Sequence, residues 1–178
     1  MDSEGLLFPN PIDPAWPTSS AVISKCGLYR YELVRSWNPS LPRLYWVMLN
    51  PSKADALKDD PTVRKCIGFA KHNGYGSICI MNLSAYRATD PKELIDRQGF
   101  VDVVGPKNYE YLKAIPRGEV VVCGWGSFIE AQPRLFHWGH LVRGLLEGCV
   151  LKCVRITKAQ PWHPLYVPYG PLVDFGGE

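Results

Sequence analysis

Apolar residues fall into short, near-continuous runs separated by segments of helical spacing, and this alternation sets the expected fold class. Residues 26–35 (CGLYRYELVR) have strand character. Leu44-Tyr45-Trp46-Val47-Met48-Leu49 is a nearly unbroken apolar run, the pattern of a strand covered on both faces. The turn Asn38-Pro39-Ser40-Leu41-Pro42 between them predicts a hairpin at one side of the sheet. Ser77-Ile78-Cys79-Ile80-Met81, Val120-Val121-Val122-Cys123 and residues 149–156 supply further strands. Asp60-Pro61 reads as an N-cap with proline at the first helical position, followed by Val63, Cys66, Ile67 and Ala70 at helical spacing, with Gly74 as the stop. Asp90-Pro91-Lys92-Glu93 repeats the device and adds a capping-box glutamate. Residues 107–115 read as a short helix with Tyr111, Leu112 and Ile115 inward. Residues 134–147 read as a longer helix that buries Leu135, Trp138, Leu141, Val142 and Leu145.

Strands alternating with helices predict a three-layer α/β sandwich around a central, mostly parallel sheet. One domain is expected over residues 23–178. Residues 1–22, with Pro9, Pro11, Pro14 and Pro17 and no periodicity, are expected to form an extended arm.

Composition narrows the class. A hydrophobic share of 46% with 21% charged residues belongs to a folded globular chain, not a disordered one. No run of about 18 apolar residues occurs, so no membrane span is expected. Met1-Asp2-Ser3-Glu4 is acidic where a secretory signal is basic, and a cytoplasmic location is the expectation. Cys79, Cys123, Cys149 and Cys153 sit in or beside apolar runs, where a reduced thiol packs as a small hydrophobe. Without a Cys-x-x-Cys pair or metal-like histidine spacing, no metal and no cofactor are expected. The net charge of +3 permits nucleic-acid binding without demanding it.

In open parallel sheets, ligands bind at the carboxyl ends of the strands. Asn50-Pro51-Ser52, residues 82–87, Gly124-Trp125-Gly126 and His163-Pro164 all follow predicted strands and so aim polar or aromatic groups at one edge. Each cluster alone is also what a turn requires. Their convergence is what points to a site.

An apolar strand ending in Asn-Pro-Ser, a strand ending in Asn with Arg close behind, a strand ending in Gly and a closing His-Pro resemble the uracil-DNA glycosylase superfamily. More closely, Leu49-Asn50-Pro51-Ser52-Lys53-Ala54-Asp55, residues 60–66, Asn82-Leu83 and His163-Pro164-Leu165-Tyr166 are similar to a bacterial and phage domain family of unknown function, over roughly residues 26–167. The chain departs from the superfamily's first motif at Met48, where glycine is usual, and from its last at Leu165, where many relatives carry serine.

The resemblance implies a glycosylase fold and a monofunctional DNA glycosylase. Such an enzyme flips a modified base out of DNA and hydrolyses its N-glycosidic bond to leave an abasic site. Glucosylated 5-hydroxymethylcytosine of phage DNA is the implied target, anti-phage defence the implied setting, and a monomer the implied state. Asn50 would hold the attacking water and His163 would donate a hydrogen bond to the departing base or a phosphate. A carboxylate would come from Asp55 or Asp59, with Asp55 preferred. Asn82 suits readout of a base edge, Tyr86 or Trp125 stacking on the base, and Ser52, Lys53 and Arg87 contact with the DNA backbone. Ser84 and Ala85 are compatible with a widened pocket. Structural roles stand beside these: a turn at Asn50, a loop cap at Asp55 or Asn82, a packed histidine at 163, and a core plug at Trp125. Two rival functions share the cleft, a hydrolase or transferase of free nucleosides or nucleotides and a non-catalytic DNA-binding module. Neither Gly-x-x-x-x-Gly-Lys-Ser/Thr nor Gly-x-Gly-x-x-Gly occurs, which argues against phosphate-cradle or dinucleotide chemistry.

Overall fold

A computed structural model describes residues 19–97, 99–131, 133–157 and 160–176. The strands are β1 (Ser19–Ile23), β2 (Arg30–Ser36), β3 (Arg43–Met48), β4 (Ser77–Asn82), β5 (Val120–Cys123), β6 (Val150–Cys153), β7 (Ile156–Thr157), β8 (Gln160–Pro161) and β9 (Val173–Asp174). The helices are α1 (Pro61–His72), α2 (Glu93–Arg97), α3 (Asn108–Lys113) and α4 (Pro133–Leu145). Seven strands form one sheet in the order β1-β2-β4-β3-β5-β6-β9, while β7 and β8 pair separately. The sheet is parallel from β4 through β3 and β5 to β6, and antiparallel at both edges.

The apolar runs explain that order. All six residues of β4 are buried, and in β3 Leu44, Trp46, Val47 and Met48 are buried too, so both strands need neighbours on either side. Strand β2 carries Arg30, Glu32 and Arg35 and takes a more outward place. The expected β2–β3 hairpin therefore does not form. Strand β4 lies between them, with Leu33 opposite Ile80 and Trp46 opposite the same residue on the other side. The turn before β3 instead wraps the start of β4, through Trp37 N to Gly76 O at 2.9 Å and Gly76 N to Pro42 O at 2.9 Å.

Alternation along the strands divides the core in two. On one face Leu44, Trp46, Ile78 and Ile80 meet Val63, Cys66, Phe69 and Ala70 of α1. On the other, Val47, Cys79, Met81 and Val121 meet Leu94 of α2, Leu112 of α3 and Leu135 and Val142 of α4. That makes three layers. Each fully enclosed Leu, Ile or Phe contributes about 1.5–3 kcal/mol relative to exposure. Helix α4 buries Leu135 and Val142 and packs Trp138 and Leu145 against the core as expected, but not Leu141. Leu141 is 48% exposed, Leu146 just beyond the helix is buried, and Gly139 lies close to Ile129.

The helix starts follow their sequence signals. Asp60 Oδ1 accepts Val63 N at 2.9 Å, and Asp90 N donates to Glu93 Oε1 at 3.3 Å. The arm expected over residues 1–22 overlaps β1, since Ser19–Ile23 pairs antiparallel with β2; its first 18 positions lie outside the described residues. A bulge follows in that pairing. Val22 stands opposite Glu32 and Ile23 opposite Arg30, leaving Tyr31 as the extra residue. Tyr31 joins the core beside Val34 and Cys79, and Arg30 turns to the α1 face. All six cysteines are free, and Cys66, Cys79, Cys123 and Cys153 are buried. Among the described residues, no helix is long and apolar enough to cross a membrane.

Candidate functional site

Where β3 and β4 end, the chain segments that follow are zipped together. Leu83 N donates to Met48 O at 2.8 Å, Ser84 N to Leu49 O at 2.9 Å and Ala88 N to Pro51 O at 2.9 Å. Between these segments, the start of α1 and the 3-10 turn Pro164–Tyr166 lies a cleft of about 400 Å³. Asn50, Ser52, Asn82 and His163 all line it, together with Arg30 and Asp60. Residues more than a hundred positions apart thus meet, because β3 and β4 end at one edge and the chain after β8 brings His163 to it.

Asn50 is half-buried and spends its amide nitrogen on the protein, donating to Ala88 O at 2.8 Å and Pro51 O at 3.2 Å. Among the described residues its Oδ1 is left as an acceptor. Asn82 is 1% exposed, and neither its Nδ2 nor its Oδ1 has a hydrogen-bond partner among the described residues. Period-two alternation puts it on the α1 face with Ile78 and Ile80. Its backbone is fixed from the opposite face, where Asn108 Nδ2 donates to Asn82 O and to Leu83 O, each at 3.0 Å. Met48 fits beside the cleft because Gly124 has no side chain; a Cβ there would come within 2.8 Å of the Met48 Sδ.

His163 caps the 3-10 turn, its Nδ1 accepting Leu165 N at 3.4 Å. Burial lowers its pKa below the ordinary 6.5, and Asp60 pulls partly the other way. The ring is neutral at pH 7, with its proton assigned to Nε2 because Nδ1 accepts. A base whose folded pKa is lowered contributes stability that is complete above the unfolded value and lost as pH falls toward the folded one. Stability should therefore drop as pH falls below about 6.5. His163→Gln should flatten that part of the profile in urea unfolding at pH 5 and 7.5.

Neither Arg30 nor Asp60 is legible in the sequence as a site residue, although Asp60 reads there as the N-cap of α1. Two buried arginines, Arg30 and Arg35, hold the segment between β3 and α1. Arg35 is saturated: it pairs with Asp59 at 2.8 Å and donates to Asp55 O at 2.5 Å and Val34 O at 2.9 Å. Arg30 donates through Nη1 to Ala54 O at 2.8 Å, while its Nε is enclosed without a partner among the described residues. Burial brings its pKa down to about 10, although Asp60 opposes the shift. Asp60, the α1 cap, is the carboxylate that lines the cleft.

Several expected site residues lie elsewhere. Asp55 does not line the cleft. Its Oδ1 accepts Leu57 N and Lys58 N, each at 2.9 Å, and those amides hold its pKa below the usual carboxylate value. Asp59 is committed to Arg35. Tyr86 is buried edge-on against Tyr29, with ring centroids 6.1 Å apart, and cannot stack on a ligand there. Trp125 is the core plug. It is 2% exposed, packs on Phe175 and donates to Gln160 Oε1 at 3.0 Å. Arg87 turns away to Gly27 O at 3.1 Å. Lys53 is exposed beside Ser52 but does not line the cleft. Ser84 and Ala85 are fully buried in the opposite core, where the Ser84 hydroxyl donates to Val103 O, so they do not widen the cleft.

The family described as "Protein of unknown function (DUF1643)" matches residues 30–165, more than half of the chain. The chain belongs to the DUF1643 family. No curated protein and no solved structure matches it. The matched span of this DUF1643 protein opens on Arg30 and closes on Leu165, both of which line the cleft.

Proposed function

We propose that this DUF1643 protein is a DNA glycosylase of the uracil-DNA glycosylase type, which flips a modified base into the cleft and hydrolyses its bond to the sugar. The observation that carries the reading is that Asn50, Asn82 and His163 share one cleft, with the Asn82 amide enclosed and unpartnered among the described residues. A flipped base is read through hydrogen bonds to its edge, and that amide supplies both a donor and an acceptor. The cleft volume falls within the ~300–1,000 Å³ of small-molecule sites, room for a base with a bulky substituent. Hypermodified cytosine of phage DNA is the substrate class that the resemblance implies.

Each group has a task in this reading. Asn50 Oδ1 accepts a hydrogen bond from the attacking water. Asp60 lies in the same cleft to take a proton from that water, the part first expected of Asp55. His163 donates through Nε2 to the departing base. Lys53, Lys58 and Lys92 stand exposed on segments bordering the cleft, suited to phosphates, and Tyr166 is 83% exposed at its mouth.

Incubation with unmodified, uracil-containing and hypermodified phage DNA, followed by abasic-site detection, tests the reading. Abasic sites in at least one DNA are expected, with binding that weakens as salt rises. Base released only from free nucleosides or nucleotides, without salt dependence, would favour the free-nucleoside rival. Asp60→Ala should depress the reaction, whereas Asp55→Ala should leave it at the wild-type rate in a single-turnover assay.

A further inference from the structure

The deep end of the cleft carries more unpaired polarity than water-holding or base departure requires. Arg30 is 3% exposed and Asn82 1% exposed. The Arg30 Nε and both amide atoms of Asn82 are enclosed without partners among the described residues. Buried polar groups left unpaired are costly and therefore rare. Three such atoms on two residues lining one open cleft match a ligand edge that pairs with them.

The donor and acceptor inventory restricts that edge. Arg30 only donates, while Asn82 donates through Nδ2 and accepts through Oδ1. A ligand that satisfies all three atoms presents two acceptors and one donor. Met48, Val63 and Ile80 supply apolar wall beside them, suited to the face of a flat ring. We propose that Arg30 and Asn82 are the specificity-determining pair of this cleft and select an oxo base, whose ring carbonyl oxygen accepts from the Arg30 guanidinium. Uracil offers acceptor, donor, acceptor along its edge. Cytosine and its 5-substituted forms offer donor, acceptor, acceptor. Adenine has no carbonyl oxygen and offers the guanidinium only ring nitrogens.

The place of this base on DNA rests on the glycosylase reading; its recognition by the pair does not. In the reaction the electron pair of the broken C1′–N bond stays with the base and is shared with the conjugated carbonyl oxygen. The water oxygen takes the vacated position on C1′, and the water proton ends on the base. Arg30 thus holds the oxygen that gains negative charge.

Calorimetric titration of the full chain with free uracil, cytosine, 5-hydroxymethylcytosine, hypoxanthine, adenine and inorganic phosphate tests the pair. At least one oxo base should bind ten or more times as tightly as adenine, roughly 1.4 kcal/mol or more. Arg30→Met should weaken that base at least tenfold, Arg30→Lys should recover part of the loss, and Asn82→Leu should abolish binding, with each variant's fold checked by thermal melting. Adenine binding as tightly as the best oxo base, no base binding at all, or unchanged affinity in Arg30→Met overturns the pair. Unchanged affinity in Asn82→Leu overturns it as well, and so covers an Arg30→Met chain that fails to fold. Phosphate that displaces the base from the wild-type chain assigns Arg30 to a phosphate and overturns it too. DNA carrying the tightest-binding base that yields no abasic site would count against the glycosylase reading alone.

Discussion

Asn82→Leu should give a chain that is more stable than the wild type and inactive. The amide of Asn82 sits at the end of β4 with neither atom paired among the described residues, and its neighbours in the cleft include Ile80, Met48 and Val63. An enclosed polar group without a partner costs about 1–3 kcal/mol. Leucine has nearly the same shape and removes both polar atoms while adding apolar contact. A gain of about 1–3 kcal/mol is expected, and at about 2–4 °C per kcal/mol for a chain of this size the melting temperature rises by several degrees. Abasic-site formation should vanish because nothing remains to read the base edge. Urea unfolding and a cleavage assay on the same preparation check both halves. A Leu variant less stable than wild type would mean that the amide is already satisfied in the free protein, and the argument for a ligand-reading residue would fall.

Asn50→Ala should act on the chemistry and spare recognition. In the proposed reading the Oδ1 accepts from the attacking water, whereas Nδ2 ties the first segment to the second through Ala88 O at 2.8 Å. Losing the acceptor leaves the water unpositioned, and misplacement of a reacting group by about 1 Å costs on the order of 100-fold. The rate of base release should therefore fall by about 100-fold or more. Base affinity should stay near the wild-type value, and the lost hydrogen bond should lower stability by only about 0.5–1.5 kcal/mol. Single-turnover kinetics alongside titration of the free base separate these effects. A variant that releases base at the wild-type rate would make Asn50 a turn residue, and the cleft would belong to a binding module.

The sequence announces the strand ends and the helix caps because both depend on neighbours a few residues apart. Asn50, Asn82 and His163 could be placed at one edge from the alternation of strands and helices alone. Strand order is less local. The turn at residues 38–42 signals a reversal, but whether β3 pairs with β2 or with β4 depends on how many faces each strand must cover. Arg30 stays hidden for a sharper reason. Regular alternation from Leu33 would send it to the opposite face, and the single extra residue at Tyr31 reverses that. Tyr86 and Trp125 look like stacking residues in the sequence because nothing local records that Tyr29 and Phe175 cover them. Asp60 is legible as a cap, and its place in the cleft is set by distant parts of the chain that line the same space, His163 among them. Met48 departs from the pattern it resembles, and its accommodation depends on Gly124, on a different strand.

The segment after His163 returns across α1, where Asn73 Nδ2 donates to Gly170 O at 3.1 Å and Leu172 N donates to Asn73 Oδ1 at 3.3 Å. It ends in β9, whose Asp174 meets Lys152 at 2.6 Å and whose two residues cover the outer side of β6. Bare strand borders invite other chains to add on. One short stretch of polypeptide therefore both seats the imidazole and shields the sheet from self-association. A chain shortened before it should lose the proposed activity and its solubility together.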